Sequence, residues 1–237
     1  MKKIKLECFT SNAGVHKFFP ISPAKKHTPQ WYKDMPQTIK APQGPKGFIE
    51  ADVGTIKRCD AFSALYNKGF VIPMWADLVI ETTSEGVWQY AYSDVIDNFK
   101  GSNLEHHPPE QIGHSFGDYI HLKIVVPWQI HEKTGVDFYF CENTWGMSQH
   151  LNAINVLPGV LNFKNQHNCH INILVKKENN RIVIEHNTPI VYCIPLSKNK
   201  LSIKNTLVSD QEYKHLKQLS YVFSFVGTYK NRLKLKI

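Results

Sequence analysis

The sequence predicts a mainly β fold of α+β composition, a β-sandwich or distorted barrel with a proline-rich wrap at its start and a helix at its end. Three observations predict it. Short runs rich in Val, Ile, Tyr and Phe follow one another between residues 119 and 196: YIHLKIVVPWQI, VDFYFCE, AINVLPGVLNF, HINILVKK, RIVIEH and PIVYCIPL. Branched and aromatic side chains suit a pleated, half-buried surface. Pro20, Pro23, Pro29, Pro36, Pro42 and Pro45 crowd one early segment, with Gly44 and Gly47 among them. Finally, 237 residues that are 42% apolar and 12% aromatic can bury a core without disulfides or metals.

The elements follow in order. KIKLECF, residues 3 to 9, alternates polar and apolar and reads as a half-buried strand. From 14 to 48 the prolines fix φ and disfavour helix before each of them, so this span is expected to be extended and turn-rich. Its aromatics Phe18, Phe19, Trp31 and Tyr32 make it an ordered wrap against the body rather than a linker. A short helix is expected over 58–67, stopped at Lys68-Gly69, then a strand from Phe70 to Glu81 that forms a hairpin with VWQYAY across TTSEG. KKENNR reads as a turn joining two strands, with Asn179-Asn180 tolerating positive φ. A helix over 209–223 has Ser209 as cap and Glu212 in the capping-box position. The whole reads as one domain: wrap 1–54, β-rich body 55–200, and a C-terminal helix with basic tail over 201–237.

The net charge of +8 and pI near 9.1 permit contact with nucleic acid or another acidic partner. The lysines are scattered, apart from the pairs at 2–3, 25–26 and 176–177 and the tail YKNRLKLKI, so nucleic acid is the weaker expectation. No apolar run has signal-peptide or membrane-span length, which points to a cytoplasmic or virion-associated protein without a membrane partner. Cys8, Cys59, Cys141, Cys169 and Cys193 form no CxxC pair and read as reduced, buried thiols.

Function concentrates on LEHHPPEQIGHSFG, residues 104–117. Pro108 and Pro109 impose an extended course after the paired histidines, and Gly113 and Gly117 bracket His114 with flexible points. The segment reads as a recognition loop leading into a strand, with His106, His107, Glu110, Gln111 and His114 as candidate ligand-binding residues. Trp145, in the loop-like ENTWGMSQH, joins them because an exposed tryptophan marks a contact surface. The other strand aromatics, Trp75, Trp88, Trp128, Phe138, Tyr139 and Phe140, read as core. A metal site would draw on His114, His121 and His170, with imidazoles and a carboxylate around iron or zinc. Cys141 and Cys169 are the candidate nucleophiles, set against strand-interior surroundings that favour inert thiols. No Walker loop, dinucleotide fingerprint, GxSxG or HExxH occurs, and no cofactor is required by the sequence.

The order PWQIHEKTGVDFYF, VLPGVLNF, IEHNTPIVYCIPLS resembles an uncharacterised family common in marine phages and some bacteria, over roughly residues 55 to 200. A weaker similarity is to the dUTPase and dCTP deaminase-like fold, of β-clip type, carried by Leu157-Pro158-Gly159-Val160 and Asn187-Thr188-Pro189-Ile190-Val191. Where that fold's enzymes carry a water-activating aspartate and a tyrosine, this chain has Leu161-Asn162-Phe163-Lys164, so the resemblance implies the fold without the chemistry. The expectation is a binding or assembly role, with itself or another protein as partner. The alternative is a metal-dependent enzyme, non-haem iron or zinc, working on a small substrate through the histidine-rich loop.

Overall fold

The computed structural model describes residues 3–43, 49–93, 104–113, 115–143 and 153–219. The architecture is mainly β, with several antiparallel sheets, few helices and a helix near the end of the chain. Among the described residues the sheets remain open, with free edge strands and no closed barrel.

The first sheet joins distant parts of the chain. Strand β1 (Lys3–Thr10) lies between β10 (Gln129–Glu132), antiparallel, and β17 (Lys200–Leu207), parallel over eight residues. Strand β17 is absent from the expected element list, which began the C-terminal helix and tail at 201. Its alternation LSIKNTL reaches only half-burial, so the segment lacks the strong apolar side that marks a strand. Ser209 does cap the last helix, α4 (210–219), its hydroxyl accepting from Glu212 N at 3.2 Å. Residues 220–223 and the basic tail lie outside the described residues.

The proline-rich wrap is ordered but not simply extended. It holds α1 (Ala13–Phe18), capped by Asn12, whose side chain accepts from Val15 N, and α2 (Gln30–Asp34), which begins directly after Pro29. Proline at a helix start loses nothing, because the first N–H groups have no intrahelical partner. The wrap is held to the body by β2 (Ser22–Pro23) against β5 (Phe70–Pro73), and by Asn205 donating to Ile21 O at 2.9 Å. Strands β3 (Thr38–Gln43) and β4 (Ile49–Gly54) then form an antiparallel pair.

Helix α3 (Asp60–Lys68) stops at Gly69, as expected, but for a different reason. Gly69 has an extended backbone, and a Cβ there would meet Cys193 O at 2.6 Å. The glycine admits the neighbouring strand rather than a left-handed turn. The single strand expected from Phe70 to Glu81 is two, β5 and β6 (Leu78–Thr82), which enter different sheets. At the break, Met74 exchanges backbone bonds with Asn187 and Thr188, and the Asp77 carboxylate accepts from His186 N and Nδ1. The expected β6–β7 hairpin forms (β7, Trp88–Tyr92), but Thr82 faces Trp88 and so belongs to the strand rather than to the turn.

YIHLKIVVPWQI likewise breaks at Pro127 into β9 (Tyr119–Ile124) and β10. KKENNR links β14 (Ile171–Lys176) to β15 (Asn180–Ile184), which pair in separate sheets; neither Asn179 nor Asn180 has positive φ, whereas Asn187 does, at 62°. The central sheet runs β13 (Gly159–Asn162), β11 (Asp137–Glu142), β16 (Pro189–Pro195), β5, β2. One core binds the four larger sheets, with Trp75, Trp128, Phe70, Phe138 and Phe163 each 1% exposed or less. No helix among the described residues is long and apolar enough to cross a membrane.

Candidate functional site

The site sits on the sheet β12 (Ile154–Val156), β14, β9, β8 (Leu104–His107). The first four residues of the supposed loop are therefore an edge strand: LEHH pairs with β9, and PPEQIG turns away. Pro108 is extended, Pro109–Ile112 form one 3-10 turn, and Gly113 ends it in the left-handed region at φ 63°.

Alternation along β8 sends the paired histidines to opposite faces. His106 tilts against Trp88, with ring centroids 5.9 Å apart. His107 lies opposite His121 on the other face, and the two imidazoles stack at 4.6 Å with planes 24° apart. Continuing along that face, Glu105 pairs with Lys123, and Asn172 sits beside Lys123 on β14. The Lys123 ammonium holds the Glu105 carboxyl below its usual range, with smaller help from His170 and His107.

Hydrogen bonding assigns the tautomers. His107 Nδ1 is bonded to Gln111 Oε1, and His121 Nε2 to Asn172 Oδ1 at 3.3 Å. Amide oxygens only accept, so with these amide orientations each imidazole donates there and, when neutral, carries its lone pair on the other nitrogen. Those nitrogens, His107 Nε2 and His121 Nδ1, are buried and have no hydrogen-bond partner among the described residues. His121 is 8% exposed, and burial, reinforced by the nearby His107, lowers its pKa below the ordinary imidazole value.

Both rings line a cavity of about 310 Å³, together with His106, Tyr119, Phe116 and Lys177. Lys177 closes one side: its Nζ donates to Gly117 O at 2.7 Å, and its stem passes within 3.2 Å of where a Cβ on Gly86 would stand. Gly86 has φ 85° in the β6–β7 turn, so glycine serves both the turn and the close approach. Lys177, Tyr119 and Gly86 were not readable as site residues, since no sequence spacing ties them to the loop. Glu110 is exposed on the 3-10 turn, next to the Gln111 that holds His107.

His170 lies on the same sheet face but four residues before Leu174, the position facing His121. Strand rise puts that at roughly 13 Å. Its Nε2 accepts from Asn168 Nδ2 at 3.1 Å, and burial, with Lys123 and Lys217, pushes its pKa down to about 4. Among the described residues no three His, Cys, Asp or Glu side chains are placed to hold a metal ion. His114 and Trp145 lie outside the described residues.

A second imidazole pair stands apart from the histidine-rich segment. His131 on β10 stacks on His167 at 3.7 Å, beneath Phe9 at 5.2 Å. Burial, then His167 and Lys133, lowers His131 to about 4.

The cysteines divide. Cys8, Cys169 and Cys193 are buried, and burial raises the thiols of Cys8 and Cys193; Cys141 is half-buried and also raised by burial. A raised thiol is the reverse of what a nucleophile needs. Cys59 is exposed before α3, contrary to the expectation of burial, because the turn Ile56–Arg58 faces it outward. The chain matches no protein-family model, no curated protein and no solved structure.

Proposed function

We propose that this chain is a binding protein whose recognition site is the His107/His121 cavity, and that its ligand presents hydrogen-bond donors such as a primary amine or amide. The observation that supports this is the pair of buried lone pairs at His107 Nε2 and His121 Nδ1. Two unsatisfied acceptors in a wall cost free energy until a donor reaches them. Glu85, also in the lining, favours a cationic donor.

The stacking weighs against a metal-dependent enzyme. Imidazole lone pairs lie in the ring plane, and planes only 24° apart at 4.6 Å do not meet at a point about 2 Å from both nitrogens. Side-chain nitrogen NMR with methylammonium and acetamide titrations tests the reading. Both His107 and His121 resonances should shift with the donors and not with an apolar solute of equal size. Stoichiometric zinc or iron in untagged protein would overturn it in favour of the enzyme.

The assembly part of the reading rests on a solvent-facing apolar row. Tyr139 and Val160, 39% and 57% exposed, face each other on β11 and β13, with Ile194 beside Tyr139. Light scattering should show self-association that Tyr139→Ser with Val160→Ser weakens. The finer architecture, a dUTPase-like or β-clip arrangement, is supported by the Leu157–Val160 and Asn187–Val191 runs, which contribute to β13 and β16 on either side of β11.

A further inference from the structure

A second cavity, about 430 Å³, opens between the wrap and α3, away from the histidine pair in the chain and in its lining. Lys25, Lys33 and Lys57 line it, and among the described residues no carboxylate does. None of the three is in an ion pair among the described residues. Lys57 is drawn in by its own bonds: Nζ donates to Lys33 O at 2.7 Å and Met35 O at 2.9 Å, which leaves one hydrogen for a ligand. At the edge, burial and then Lys26 and Lys33 hold His27 below the ordinary imidazole value, consistent with a positive local field.

The remaining wall is aromatic. Tyr32 is half-buried and packs on Phe62 at 4.8 Å and Tyr66 at 5.9 Å, which fixes its ring. Asn67 and Ser63 add polar groups from α3. Gathering three ammonium groups without a counter-charge costs Coulomb energy that an anion relieves. We infer that this cavity binds a small ligand carrying a tetrahedral dianion on a planar ring, the anion against Lys25, Lys33 and Lys57 and the ring against Tyr32.

Calorimetry on the full chain with phenyl phosphate, inorganic phosphate, phenyl sulfate and phenol tests this. Phenyl phosphate should bind at least roughly tenfold more tightly than inorganic phosphate or phenol, with phenyl sulfate separating charge from shape. Lys25→Gln with Lys33→Gln, both exposed positions, should weaken it by roughly tenfold or more, while Tyr32→Leu should bring phenyl phosphate down to inorganic phosphate. Lys133→Gln with Lys200→Gln serves as the charge-matched control and should change nothing; thermal melts confirm folding of each variant. Equal weakening by both lysine pairs, or binding unaffected by Lys25→Gln with Lys33→Gln, overturns the inference. So does steeply salt-dependent binding of an oligonucleotide that phenyl phosphate cannot displace.

Discussion

Two stacked imidazole pairs occupy this protein, and their surroundings set them apart. His107 and His121 each give one nitrogen to an amide oxygen and keep a lone pair in a cavity wall. His131 and His167 stack more closely, 3.7 Å against 4.6 Å, and the Phe9 ring packs edge-on against His131. The residue beside His131 anchors the turn that follows it. Glu132 is 2% exposed, yet its carboxylate accepts from Thr134 N and Oγ1, Gly135 N and Val136 N, at 2.6 to 3.2 Å. Burial would raise its pKa, but these four bonds prevail and hold it below the usual carboxylate range. His131 Nε2 is likewise buried without a hydrogen-bond partner among the described residues, so an unspent nitrogen alone does not separate the pairs. What distinguishes the first pair is that both of its rings line the cavity of about 310 Å³.

The largest effect that would break this contrast belongs to Glu132. Glu132→Ala leaves three backbone N–H groups of the following turn without their acceptor, and should cost about 2 kcal/mol in denaturant unfolding. A loss under about 1 kcal/mol would mean that the turn does not depend on the carboxylate.

Acid comes next. His131 is lowered to about 4 in the folded chain, and His167 is lowered by burial. A folded pKa below the unfolded value of about 6.5 means the unfolded chain binds more protons between the two. The stability is therefore present above pH 6.5 and is lost as pH falls toward 4. With His131 part-exposed, the loss should be on the order of 1–2 kcal/mol, read as a falling melting temperature. His131→Phe, which keeps the contact with Phe9, should flatten that slope; an unchanged slope would place the acid sensitivity in His121 or His170.

The smallest expected change in stability lies at the cavity. His107→Phe preserves stacking on His121 while deleting both the bond to Gln111 and the Nε2 lone pair. Unfolding free energy should move by about 1 kcal/mol or less, whereas the response of the His121 resonance to methylammonium should disappear. A donor response that survives would move the recognition site elsewhere.

Local pattern made part of this legible. The first strand, the β6–β7 hairpin, the short helix before Gly69 and the Ser209 cap all depend on neighbouring residues, and alternation or capping chemistry announces them. Strand partnership did not show. Phe70 to Glu81 and Tyr119 to Ile130 read as unbroken because both halves of each are buried, although the halves enter different sheets. The site was legible to the same extent. His106, His107 and Gln111 stood out as a dense polar segment, but sequence could not show that alternation puts the first two on opposite faces. His121 was flagged for a metal, and its actual neighbour is His107. Lys177 comes from a turn 60 residues beyond the Gly117 it bonds. His131 stayed hidden because a lone histidine on a strand carries no pattern of its own.

The pairing of β1 with β17 has a kinetic consequence. Lys3 aligns with Lys200 and Thr10 with Leu207, so the first strand finds its longest neighbour only after nearly all the intervening chain exists. Loop closure over that span is slow, and parallel pairing offers no hairpin shortcut. On the ribosome, β1 would wait for β10 and then for β17 with an apolar side exposed, which makes Ile4, Leu6 and Cys8 residues a chaperone should meet.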